Sequence, residues 1–277
     1  MKKVLSIFLV LYLTACGAQS SNMPLLLVST TSTQDSGLLD VLLPAFEKTS
    51  GYDVQLVSTG SGQALKIAEE GNADVILLHS PSAEKEFMAK GFGIDRRLVM
   101  HNDFVIVGPA DDPAKINGQN PIEALNRIYR AQASFVSRGD NSGTHVKELA
   151  IWKLAGLDPA GQLWHIETGQ GQGATLSIAN EKDGYALTDR GTFLAYQDNI
   201  ELKILVQNDK RLLNVYHVIT VNPEKWPQVN AKGARAFADF ITSAQGQEII
   251  REFGVEQYGQ PLFYPDADKT DLELGLP

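Results

Sequence analysis

Five consecutive hydroxyl residues, Ser29-Thr30-Thr31-Ser32-Thr33, stand between an apolar run and a helical pattern. Hydroxyls donate hydrogen bonds to an oxyanion without adding formal charge. A helix start adds free N–H groups and about half a positive charge. Such a loop suits the capture of an anion; alternatively, Thr33 or Asp35 only caps the helix. The chemistry recurs along the chain. Ser58, Thr59 and Ser61 precede a helical pattern at residues 63–70, and Ser137, Arg138, Ser142 and Thr144 precede another from residue 145. Residues 169–173 offer backbone N–H groups that glycine lets approach a ligand closely. Arg138 is the one cation placed in the site, because its planar fork can grip two oxygens of a tetrahedral oxyanion. Its alternative is an ion pair with Asp140 or a neighbour, Asp140 itself being read as a helix cap rather than a ligand. Asp189 and Arg190 could pair with each other and are assigned no role. Ser61 enters the candidate set from its place before a helix.

Catalysis is a weaker reading of the same residues. His145 beside Ser142 or Thr144 invites a nucleophile–base pair. The chain has no Gly-x-Ser-x-Gly elbow and no Walker or dinucleotide motif, and its five histidines show no metal-ligand spacing. The expectation is therefore a binding protein and not an enzyme, with no cofactor and no metal cation.

The elements that must carry these loops are short and alternate. Apolar runs at residues 25–28, 54–57, 75–78, 104–107, 133–136, 164–167, 185–188 and 215–221 read as strands. Helical periodicity fills most intervals, and Pro81 suits a first helical position. Alternating strands and helices predict an α/β fold with parallel sheets, whose ligands bind at the carboxyl ends of strands. The runs at 104–107 and 215–221 each end in a small polar residue and proline, and read as two crossings between lobes. Residues 25–107 and 215–277 then form one lobe and residues 108–214 the other; a single continuous domain is the alternative. Residues 268–277 read as a polar tail.

Residues 1–15 are an address, with Lys2 and Lys3 before an apolar stretch too short to span a membrane. Leu13-Thr14-Ala15-Cys16 resembles the bacterial lipobox, in which the cysteine is lipidated after cleavage; an ordinary signal with an incidental cysteine is the alternative. Cys16 is the sole cysteine, so the chain has no internal disulfide. Residues 16–24 would then tether the domain to a membrane. The formal charge of −9 becomes −11 once Lys2 and Lys3 are lost, which argues against a nucleic-acid partner. Local donors must overcome that field if the ligand is an anion.

At residues 29–40, 102–109 and 137–145 the sequence resembles the tungstate-binding proteins of bacterial ABC importers. Residues 171–176, 178–182 and 187–191 match as well, so the resemblance covers nearly the whole chain after the signal. It implies a two-lobed periplasmic-binding-protein fold of the second type, with the ligand in the interlobe cleft. Carried onto matching positions, it implies that Thr30, Ser32, Arg138 and Thr144 hold the oxyanion. The family's first motif usually opens with threonine where this chain has Ser29, also a hydroxyl donor. The resemblance further implies permease and ATPase partners, a periplasmic or cell-surface location and a monomer. Tungstate rather than molybdate rests on resemblance alone. Phosphate is the nearest alternative, and it would need an acceptor for its proton at Asp35 or Asp140.

Overall fold

A computed structural model of the 277-residue chain describes residues 23–276. The signal, Cys16 and most of the tether lie outside the described residues. The last two tether positions, Met23 and Pro24, open the first strand and pair with Tyr52 and Asp53.

Strands β1 (Met23–Thr30), β2 (Tyr52–Thr59) and β3 (Val75–Leu78) run parallel with β1 in the centre. Their apolar residues alternate between two covered faces, as strand geometry requires. Leu25 and Leu27 face helix α2 (Leu38–Ser50), where they meet Leu38, Leu42 and Phe46. Val28 faces the other way, toward Ala64, Leu65 and Ala68 of α3 (Ser61–Glu69). Burial on both faces explains the continuous apolar runs that the sequence shows. The five hydroxyls do not form an open loop: Ser29 and Thr30 end β1, and Thr31–Asp35 is the short helix α1.

The sheet is mixed rather than parallel. Helix α4 (Pro81–Ala89) leads into β4 (Gly93–Gly108), and β9 (Leu213–Val221) lies antiparallel between β3 and β4. The first half of β4 shows no apolar run because Asp95-Arg96-Arg97 is charged; Arg96 pairs with Glu84 and Asp271, and Arg97 with Asp95 and Asp239. From Phe104 onward β4 leaves β9 and pairs antiparallel with β7 (Ala186–Asp189) and β8 (Lys203–Val206). One 16-residue strand therefore crosses from the first lobe into the second. The boundaries 107/108 and 214/215 fall one residue before the end of β4 and two residues into β9.

The second lobe adds α5 (Pro121–Ala131), β5 (Phe135–Ser137), α6 (Gly143–Leu154), β6 (His165–Glu167), α7 (Gln172–Glu181) and α8 (Arg190–Tyr196). Strands β5 and β6 pair in parallel, and Phe135, Trp152, Trp164, Tyr185 and Leu205 share one core. The chain returns through β9 to α9 (Ala231–Ile241), α10 (Ala244–Glu252), α11 (Val255–Tyr258) and β10 (Tyr264–Pro265), which pairs with β4.

The end of the chain is packed, not a solvated tail. Leu274 is buried with Leu98 and Val215. Asp271 accepts from Arg96 at 2.9 Å and lies 2.9 Å from Nε2 of the fully buried His217. Those partners are far away in sequence, so polarity alone misled. Burial pushes the Asp271 carboxyl up, but hydrogen bonds from His217 and Arg96 outweigh it and hold it below the usual carboxylate range. A depressed carboxyl contributes stability above its unfolded pKa of about 3.9 and loses it as pH falls through the lower folded value. Asp271→Asn should therefore lower the melting temperature at neutral pH, and the difference should shrink below about pH 4. A pH series of melting curves checks this.

Candidate anion-binding cleft

The carboxyl ends of β1, β2 and β3 deliver the first group of donors side by side. Ser29 is spent on structure: fully buried, it donates to the Leu77 carbonyl at 2.8 Å. Thr30 caps α1, accepting from the Thr33 N–H at 3.3 Å. Its Oγ1 also lies 2.6 Å from Thr33 Oγ1 and 3.1 Å from Ser32 Oγ. Thr33 is fully buried, whereas Ser32 is exposed. Ser61 is the half-buried first residue of α3, where Gly60 supplies no side-chain cap. Its helix start keeps N–H groups for another partner, but no hydrogen bond ties Ser61 to Thr30 or Ser32.

The second lobe supplies the cation. Arg138 follows β5, and its backbone carbonyl accepts from Gly169 N–H at 2.8 Å. Its Nη2 donates to Asp140, and its Nε is buried without a hydrogen-bond partner. Asp140 is thus the ion-pair partner and not the helix cap. Ser142 caps α6 instead, accepting from the His145 N–H at 3.4 Å. Burial pushes the Asp140 carboxyl up, but bonds from Ser142 and the Arg138 charge outweigh it and keep it ionised. Thr144, the second residue of α6, is 8% exposed.

His145 is buried, and its Nδ1 accepts from the Asn141 N–H at 3.0 Å. That bond fixes Asn141, a non-glycine residue at φ 58°, and so shapes the Arg138 loop. The Nε2 of His145 is buried without a hydrogen-bond partner, and Ser142 Oγ accepts from the His145 backbone N–H. Asp189 and Arg190 do not pair with each other. Asp189 caps α8, and Arg190 grips Asp103 of β4 through bonds of 2.8 and 2.6 Å. In the glycine loop, Gly173 has no room for a β-carbon because the Tyr196 ring lies against it. That glycine serves packing, not a ligand.

The residue that joins the two lobes was not among the candidates. His79 follows β3, and its Nε2 is 3.1 Å from Thr30 Oγ1 and 3.3 Å from Ser32 Oγ. Its Cε1 is 3.1 Å from where a β-carbon on Gly143 would sit, one residue before Thr144. Its Nδ1 is 2.9 Å from Asn214 Oδ1 on β9, and its ring centre is 4.8 Å from that of Tyr216. His79 therefore has hydroxyl donors of the first lobe on one edge and the α6 start of the second lobe on another. A lone histidine after a strand carries no motif. The only available signal was the register of three parallel strand ends, which places residue 79 beside residues 30–32.

Two α/β lobes joined by crossing strands are the architecture of a periplasmic-binding-protein domain. The chain belongs to the PBP superfamily, whose domain model matches residues 17–245. Within that superfamily it stands with the TupA proteins. It is 45% identical to the tungstate-binding protein TupA of Peptoclostridium acidaminophilum, over 97% of this chain and all of that one. It is 44% identical to the tungstate-binding protein TupA of Campylobacter jejuni, over 85% of this chain and 88% of that one. Its fold is similar to the solved structure of the tungstate-binding protein TupA from Desulfovibrio alaskensis, with a TM-score of 0.84 and 43% identity. That likeness covers 88% of this chain and 99% of the other.

Proposed function

We propose that this chain captures tungstate outside the cytoplasm and delivers it to the permease and ATPase subunits of an ABC importer. One observation carries the reading: Thr30 and Ser32 of one lobe meet His79, whose ring lies against Gly143 at the α6 start of the other lobe, and the Arg138 loop leads into that same start. Buried Nε of Arg138 is a donor in want of an acceptor, and an oxyanion supplies one. The relatives named for tungstate support the choice of ion. Molybdate has the same shape and charge and belongs to the same reading. Ser61 joins the set through the free helix start at Gly60.

Phosphate is less well served. At neutral pH it still carries a proton, which a suitable site must accept. Asp140 is ionised but engaged by Arg138 and Ser142, and Asp35 is exposed at the end of α1. The protein works as a monomeric receptor and not as an enzyme: His145 Nδ1 accepts from the Asn141 backbone and its Nε2 has no hydrogen-bond partner, so neither ring nitrogen activates a hydroxyl. Cys16 anchors it by lipid after removal of residues 1–15. Among the described residues no helix is long and apolar enough to cross a membrane.

Titration of the purified protein with tungstate, molybdate, sulfate and phosphate, read by heat and melting shift, tests this. Tight tungstate binding that excess sulfate and phosphate do not displace is the expected result. Displacement of tungstate by phosphate, or no response to tungstate, would overturn it.

A further inference from the structure

His79 meets Thr30 and Ser32 with a nitrogen whose role is set from behind. The Asn214 amide oxygen can only accept, so His79 Nδ1 carries the ring proton and donates across 2.9 Å. Nε2 then presents a lone pair to the two hydroxyls. The Asn214 amide nitrogen in turn donates to the Tyr216 hydroxyl at 3.0 Å. Burial holds the His79 imidazole below its ordinary pKa, against opposing influences of Glu84 and Asp189 and together with Lys147. The ring is thus neutral and has one proton to place.

That placement is reversible without any change of charge. Turning the Asn214 amide by half a turn lets its nitrogen donate to His79 Nδ1 and its oxygen accept from the Tyr216 O–H. The ring proton then leaves Nδ1 for solvent as another joins Nε2, and Nε2 becomes a donor. The difference matters for an anion held by Thr30 and Ser32. A fully deprotonated dianion offers only acceptors, so an Nε2 lone pair repels it and an Nε2–H binds it. A protonated oxyanion has a proton that the lone pair can take.

We propose that His79 is a direct anion ligand and a specificity-determining residue: a fully deprotonated oxyanion flips the Asn214 amide and turns Nε2 from acceptor into donor. The inference rests on the tungstate reading of the cleft.

Nitrogen NMR of the histidine-labelled full chain tests it, with the His79 signals assigned through His79→Gln. Without anion, Nε2 should be pyridine-type and Nδ1 pyrrole-type. With saturating tungstate the two should exchange character. His79→Leu should also weaken tungstate binding by at least about tenfold, the loss of one hydrogen bond to a charged group. Tungstate bound with the tautomer unchanged, or with both nitrogens pyrrole-type, would overturn the inference and leave the function standing. Unchanged affinity in His79→Leu would do the same. Failure of tungstate to bind the unaltered protein would overturn both.

Discussion

Arg138→Ala should weaken tungstate binding by about 2 kcal/mol, roughly 30-fold, and leave the melting temperature of the free protein nearly unchanged. The loss follows from chemistry. Arg138 is the cation of the proposed donor set, and a guanidinium bound to an oxyanion makes paired, charge-assisted bonds that neutral hydroxyls cannot replace. The stability of the free protein is spared because the loop has other ties. Asp140 keeps its bond to the Ser142 N–H, and His145 still holds Asn141. Arg138→Lys keeps the charge but loses the fork, so it should recover only part of the affinity. Calorimetric titration of the three proteins decides the matter. Unchanged affinity in Arg138→Ala would make Arg138 a structural partner of Asp140 and nothing more.

Arg190→Met should have the larger effect on stability, a loss of about 3–5 kcal/mol, because it strands a buried carboxylate. Asp103 and Arg190 are each 7% exposed, and the guanidinium spans both carboxylate oxygens. Asp103 is the last β4 residue paired with β9, and Arg190 opens α8 in the second lobe. The pair therefore pins the crossing strand to the second lobe. Neither side chain belongs to the donor set, so the variant that folds should still bind tungstate. Adding Asp103→Leu to Arg190→Met should restore much of the loss, since the stranded charge is then gone. Urea unfolding of both variants checks this. A loss below 1 kcal/mol in Arg190→Met would contradict the account.

Much of the fold is legible in the sequence, and the reasons are specific. Strands β1 and β3 are covered on both faces, so each reads as an unbroken apolar run. The first half of β4 is not legible, because Asp95, Arg96 and Arg97 are stabilised by partners scattered from residue 84 to residue 271. The antiparallel place of β9 is equally hidden, since direction in a sheet leaves no mark on an apolar run. The site divides the same way. Thr30, Ser32, Arg138 and Thr144 stand out by residue type and by resemblance. Ser29 looks identical to its neighbours, yet strand alternation turns it inward to Leu77. His79 and Asn214 are separated by 135 positions and meet only through the pairing of β3 with β9.

A crystal structure of the protein grown with tungstate tests the central claim most directly, because tungsten's anomalous scattering locates the ion unambiguously. The account predicts one tungstate between the lobes, its oxygens within hydrogen-bond distance of Thr30, Ser32, Arg138 and Thr144. Tungsten found elsewhere on the molecule, or held by residues of one lobe alone, would contradict it.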